Sequence, residues 1–415
     1  MTTPYPSTDV NDAFFQPLCG LVASAPARRH CPDVSDDTWV MLGLQRVLES
    51  STSGRGFLQE HGPRFEQTPK VANYFATLRS DRRLEVLRHV NTGVLQRGDF
   101  GDYLAEVAEL ERYECFAVDG HWHQAATHDA RHDGTKMAVG HLYSLNLRGH
   151  QLEHLVAAEG LHEHDMSMLK RVKPKGLRHR VRKGRRVLII YDKAGIDFDY
   201  WKRCRVDCAV YFLSRPKEGM ILVWESERPF DRQDRRNAGI MADNWVQSRT
   251  GQKLRLIRYQ EPLSGKFYDF LTNEPDLPPG VLAELYRRRW QVEKVFDEIK
   301  NKLHERKAWA TSLRAKTIQA NFVALAHNLL LLYERSLEQR HGLTNDGEDR
   351  RRDKRLAAMQ TQARSFGRVL PTLLANACNA SQRSVKFIRW LRHALREKLT
   401  EEAATPRLRQ LYATL

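Results

Sequence analysis

The alternation of apolar and polar positions divides the chain into three stretches. From Asp36 to about Gly98 the apolar residues recur at helical spacing, with Val40, Leu44, Val47 and Leu48 on one face. A second helix is predicted to start at Thr68 with Pro69 in its first turn, and a third at Ser80, followed by Leu84, Leu87 and Val90. From Tyr113 the period shortens to that of strands. "ECFAVDG" is an apolar run ending in a carboxylate, and "MAVGHLYSLNLRG" and "HQLEHLVAAEG" read as an antiparallel pair about a turn at Arg148 and Gly149. A basic stretch, Lys170 to Arg186, precedes the strand "RVLIIYD". Further on, "MILVWESE" and "KLRLIRYQEPLSGKFYDFLT" alternate around Gly and Pro turns. "TIQANFVALAHNLLLLYERS" is apolar nearly all round and is expected to be a core helix. Residues 340–356 read as a charged linker, followed by a last helical segment.

A strand ending in Asp, a hairpin, a helix and a second strand ending in Asp follow the order of a ribonuclease-H-like sheet. The expected fold class is therefore α/β: a ribonuclease-H-like mixed sheet flanked by helices, with a β-rich insertion and helical N- and C-terminal regions. The expected boundaries are 1–108 for an α-helical DNA-binding region, 109–335 for the catalytic domain with its insertion at about 216–278, and 336–415 for a C-terminal helical region suited to dimerisation. The insertion is inferred because 100 residues separate Asp192 from Glu293, far more than one further strand and helix need.

A chain of 415 residues with 41% hydrophobic content can build a sizeable core, and a net charge of +16 with a pI near 9.7 favours a polyanionic partner such as nucleic acid. The six cysteines are scattered without CxxC pairs, as reduced thiols would be. No signal peptide is evident in "MTTPYPSTDVNDAFF", and the most apolar run, Ile318 to Tyr333, carries Gln319, Asn321, His327 and Asn328. A cytoplasmic protein with no membrane partner is expected.

The chemistry concentrates in "YRRRWQVEKVFDEIKNK". On a continuous helix Tyr286, Arg289, Glu293 and Lys300 fall within roughly 60° of arc, putting a phenol, two cations and a carboxylate on one face. Asp119 and Asp192 each follow a short β-rich run and precede a glycine within three residues. Each acid alone has an ordinary reading: a turn residue for Asp119, a helix-start acid for Asp192, a surface charge for Glu293. Together, two strand ends and a helix delivering three carboxylates suit two Mg²⁺ ions, hard cations that want oxygen ligands, with Mn²⁺ as a substitute. Asp119, on the central strand, is the candidate to bridge both ions.

These residues resemble the DDE transposases of bacterial insertion sequences, in the branch whose third acid sits in a Tyr, Arg, Glu, Lys signature with two, three and six intervening residues. Tyr286, Arg289, Glu293 and Lys300 match that spacing, and the resemblance covers about residues 110 to 335. It implies Mg²⁺-dependent nicking at the ends of a DNA element and attack of the freed 3′-hydroxyl on target DNA. The implied partners are double-stranded terminal inverted repeats and target DNA, bound by a homodimer in a nucleoid-associated bacterial setting. It also implies that Arg289 and Lys300 hold DNA phosphates, that Tyr286 buttresses them, and that Trp290 stacks on a flipped base. The other reading of Trp290 is a core aromatic under the helix. Trp245 in the insertion is a second base-stacking candidate. The residues after the first acid, His121, Trp122 and His123, depart from the phenylalanine-containing continuation of the family.

Three further features stand beside that reading. The pairs His121/His123 and His162/His164 have the spacing of metal ligands but no matching third, so hydrogen-bonded or surface roles are favoured. The ten cations between Lys170 and Arg186 read either as a phosphate-binding surface or as an exposed loop. Two rival functions remain open: an inactive DNA-end-binding protein of transposase descent, and a nuclease that hydrolyses without strand transfer.

Overall fold

The computed structural model describes residues 9–26, 34–49, 53–64, 70–126, 131–132, 135–136, 139–160, 163–178, 181, 183–375 and 384–413. Five helices open the chain: α1 (Val10–Phe15), α2 (Asp36–Leu48), α3 (Gly54–His61), α4 (Val71–Thr77) and α5 (Asp81–Arg97). Ser35 and Ser80 cap α2 and α5 by accepting from the amides of Thr38 and Arg83, so the serine-led starts were visible in the sequence. Thr68 and Pro69, the expected start of the second helix, lie outside the described residues.

The strands are β1 (Tyr113–His123), a small ribbon of β2 (Arg131–His132) and β3 (Thr135–Lys136), then β4 (Val139–Asn146), β5 (Leu152–Ala157), β6 (Arg186–Ile190), β7 (Val210–Ser214), β8 (Leu222–Glu227), β9 (Ile240–Ser248), β10 (Lys253–Gln260) and β11 (Phe267–Thr272). All but the ribbon form one sheet in the order β5-β4-β1-β6-β7-β11-β10-β9-β8. β1 runs antiparallel to β4 and parallel to β6, and β6 parallel to β7, which is the ribonuclease-H-like arrangement. The short run Val187–Ile190 is apolar at every position because helices cover both of its faces.

The β-rich insertion prolongs this sheet. β11 returns beside β7, with Leu271 opposite Ser214 and Thr272 opposite Leu213, and β10, β9 and β8 follow outward. A buried charge network fastens it: Arg255 donates to Asp243 at 2.7 Å and to Glu274 at 3.4 Å, and Glu274 accepts from the Tyr113 hydroxyl at 2.6 Å.

On one face of the sheet lies the long α11 (Leu313–His341), the expected core helix. α2 and α5 pack on it in a core continuous with the sheet, Trp39 lying 5.0 Å from Phe322. The other face carries α6 (Asp165–Arg171), α7 (Pro174–Leu177) and α8 (Phe198–Cys208), with Trp201 stacked on Phe212 at 5.3 Å. α9 (Pro279–Arg288) and α10 (Trp290–Asp297) link insertion to core, and α12 (Asp346–Ser365), α13 (Thr372–Ala375), α14 (Val385–Arg396) and α15 (Glu401–Ala413) close the chain.

Three expectations change. Residues 346–365 are helical where a charged linker was expected: Asn345 caps α12, acids occupy its first turn, and Glu348–Arg351 and Asp349–Arg352 pair one turn apart. The anticipated basic side of the N-terminal helices, Arg79, Arg82, Arg83 and Arg88, is partly internal. Arg82 and Arg83 both pair with Asp36, and Arg83 is buried, while Arg79 and Arg88 stay exposed. The apolar face of α14 is spent inside the molecule, Trp390 stacking on Tyr333, so a dimer cannot draw on it.

Candidate functional site

Position along β1 decides the geometry. The last β1–β6 pair is Ala117 with Ile190, whereas β1 stays paired with β4 through Asp119, Gly120 and beyond. Asp119 therefore emerges where β6 has ended and the chain has turned away. Asp192 stands at that same end, its Oδ1 accepting from the Ala194 amide at 2.7 Å and its carbonyl accepting from Ser214 Oγ at 2.7 Å.

Glu293 arrives on α10, and the expected single helix from Tyr286 to Lys302 is broken twice on the way. The Arg289 amide closes on the Tyr286 carbonyl at 3.1 Å and Val292 on Arg289 at 3.1 Å, one residue tighter than an α-turn, so α9 ends and α10 begins again at Trp290. Residues Glu298–Lys302 then form a π-turn, the Leu303 amide bonding Glu298 at 2.9 Å. The four signature side chains consequently do not share one straight face. Arg289 turns inward, Tyr286 packs on Phe270 at 4.9 Å, Trp290 points outward with 57% of its surface exposed, and Lys300 is exposed on the π-turn. The reading of Trp290 as a core aromatic is excluded.

Arg289 joins two of the three acids. Its guanidinium donates to Asp119 Oδ2 at 3.0 Å and to Glu293 Oε1 at 2.8 Å, while its Nε is buried without a hydrogen-bond partner. The expectation that Arg289 grips DNA phosphate therefore meets a residue committed to carboxylates. Burial pushes Asp119 up to about 6; Arg289 and the Gly120 amide pull it down, and the charges of Asp192 and Glu293 push it up again. Those last two influences bring Asp192 and Glu293 electrostatically into the same site as Asp119.

Among the described residues, no three His, Cys, Asp or Glu side chains converge as metal ligands do. The donor set nonetheless suits a hard cation. Its atoms are carboxylate oxygens, their charges oppose one another at Asp119, and the Arg289 guanidinium already stands between two of them as an organic stand-in for a cation.

The histidines after the first acid form a buried row. His121, His123, His141 and His154 have ring centroids 4.9, 5.3 and 5.3 Å apart in succession, His121 stacks on Phe296 of α10 at 4.7 Å, and burial holds all four well below the usual histidine range. Neutral rings beneath α10 fit a packing role; His162 lies outside the described residues. The basic run is largely spoken for: Lys170 pairs with Asp197, Arg171 with Glu159 and Glu163, Arg185 with Glu114, and Arg186 with Asp276. Trp245 is half-buried with the Lys253 ammonium 4.6 Å from its ring. One acid at the site escaped sequence reasoning. Asp165, in the first turn of α6, lies against Gly120, and its sequence context shows only a common helix-start acid.

No membrane-crossing helix occurs among the described residues. Comparison with curated proteins gives no match. Among solved structures, the piggyBac transposase synaptic complex with hairpin DNA aligns over 97% of this chain and 82% of its own, at 11% identity and a TM-score of 0.34. The model of the transposase DDE domain matches residues 112–329, which span β1 to the middle of α11 and contain all three acids. More than half of the chain is covered by that match, and the chain belongs to the DDE transposase family.

Proposed function

We propose that this protein cuts DNA at the ends of a mobile element and joins the freed ends to target DNA, with Asp119, Asp192 and Glu293 as the metal-holding acids. The observation that carries this reading is the grouping around Arg289: two acids bound to one cation, and a third acting electrostatically on the first. Members of this family use divalent metal ions. Magnesium held by these carboxylates supplies Lewis-acid stabilisation of the attacking and leaving oxygens of a phosphodiester.

The residues themselves supply placement. Asp119 is fixed on a strand paired on both sides up to Ala117, and the Gly120 amide donates to its Oδ1 at 2.9 Å. Asp192 is held by the turn it caps. Arg289 keeps Asp119 and Glu293 together and offsets their repulsion, so the site is assembled before metal enters. Trp290, exposed beside them, presents an indole to a base, and stacking is worth about 1 to 3 kcal/mol per base. Lys300 and the exposed arginines of the N-terminal helices supply contacts to phosphate. Two copies acting on paired ends would meet through surfaces other than the inward face of α14.

The test is Mg²⁺-dependent cleavage of terminal-repeat DNA by the full chain. Asp119→Asn, Asp192→Asn and Glu293→Gln are each expected to abolish cleavage and leave end binding within about twofold of wild type. A variant that still cuts at the wild-type rate removes its residue from the centre. Supplying a pre-cut end separates the transposase from a nuclease, because only the former yields a joined product.

A further inference from the structure

The three acids leave unexplained the fourth carboxylate beside them. Asp165 sits at the start of α6, on the face of the sheet opposite Asp119, and reaches across β1 at the one residue there without a side chain. A Cβ built on Gly120 would lie 2.6 Å from both Asp165 carboxylate oxygens, so glycine after the first acid is what admits this group. The passage is open because β6 has ended at Ile190, leaving the β6 side of Asp119 and Gly120 unpaired. Asp165 therefore faces Asp192 as well: the Asp192 charge and burial both disfavour its ionised form, while the Gly120 amide favours it.

A second, independent observation points to a ligand. The Tyr191 hydroxyl is fully buried and has no hydrogen-bond partner, and the charges that act on it are those of Asp165, Asp119 and Asp192, opposed by Arg289. A buried hydroxyl facing three carboxylates without bonding to any costs about 1 to 3 kcal/mol unless something completes its bonding. A hydrated divalent cation between those carboxylates does so, because its coordinated water can accept from or donate to the phenol while the carboxylates take the charge.

We infer that Asp165 is a fourth metal-holding carboxylate of the centre, acting with Asp119 and Asp192 from the opposite side of β1, and that Tyr191 bonds a water of the same ion. The inference rests on the proposed metal-dependent function. It assigns Gly120 a purpose, the admission of Asp165, and it divides the acids into a side bound by Arg289, with Glu293, and a side free of it, with Asp192 and Asp165.

The experiment is Mn²⁺ binding to the full chain, followed by the electron paramagnetic resonance of free Mn²⁺, with melting in chelator as the control for folding. Asp165→Asn is expected to weaken Mn²⁺ binding about tenfold or more while melting at or above the wild-type temperature. A second variant, Asp165→Ser, keeps a side-chain acceptor at the helix start and is expected to show the same loss. Tyr191→Phe is expected to weaken binding by a smaller factor. Wild-type Mn²⁺ affinity in both Asp165 variants, with binding lost in Asp119→Asn, overturns the fourth carboxylate and leaves the three-acid centre standing. Wild-type affinity in Asp119→Asn and Asp192→Asn as well overturns the metal centre itself, and the inference with it.

Discussion

At the scale of single residues, Arg289 is the pivot of the site. It is buried and bonded to two carboxylates, so truncating it leaves Asp119 and Glu293 facing each other without compensation. Arg289→Ala is expected to destabilise the metal-free protein by about 2 to 4 kcal/mol, read by chemical denaturation, and millimolar Mg²⁺ should restore most of that loss. Equal destabilisation with and without Mg²⁺ would mean that no cation takes the guanidinium's place. Asp119 has the opposite sign. Its folded value, about 6, lies above that of an unfolded aspartate, so its contribution to stability is fully present below about pH 4 and is lost as pH rises through 6. Asp119→Asn should therefore raise the melting temperature in chelator at pH 7.5, and the gain should shrink as pH falls from 6 to 4; a gain independent of pH would contradict the buried-charge account. In the insertion, Arg255 neutralises Asp243 and Glu274 in a fully buried setting, and Arg255→Met should cost about 3 to 5 kcal/mol by the same logic.

At the scale of elements, the break between α9 and α10 and the π-turn after them separate the jobs of the signature residues. Because Trp290 projects outward from a helix start, Trp290→Ala should leave the melting temperature nearly unchanged while weakening engagement of DNA with an unpaired base at the element end, measured as binding to mismatched against fully paired ends. A large stability loss would return Trp290 to the core. The strand and core-helix elements were legible because the apolar periods were unambiguous: the "DG" strand, the hairpin about Arg148 and Gly149, and the unbroken apolar α11. The acids were legible for the same reason, since each sits where a clear element stops. The helix α12 was not, because it is polar all round and its support comes from caps and ion pairs instead of a stripe. The helix breaks at Arg289 and Glu298 were equally hidden, having neither Pro nor Gly to mark them. Asp165 was invisible because its partner, Gly120, is 45 residues away and announces only a turn.

At the scale of the whole molecule, the N-terminal helices are joined to the sheet by packing. Gly43 of α2 lies so close to Phe322 of α11 that a Cβ would come within 2.1 Å of the ring, and Trp39, Phe322 and Trp309 continue the contact. A chain shortened to begin at residue 109 should expose the α11 surface and lose cooperative melting; a soluble, sharply melting fragment would show that the helices fold apart from the core. The insertion behaves differently, since it departs after Ser214 and rejoins at Leu271, two residues that are already cross-strand neighbours. A connection of a few residues could in principle span that gap, so the span between the second and third acids can grow, shrink or be exchanged without altering where Asp192 and Glu293 stand. The chemistry and the accessory surface are thus free to diverge at separate rates, with the Arg255 clasp as the main tie that any replacement would have to rebuild.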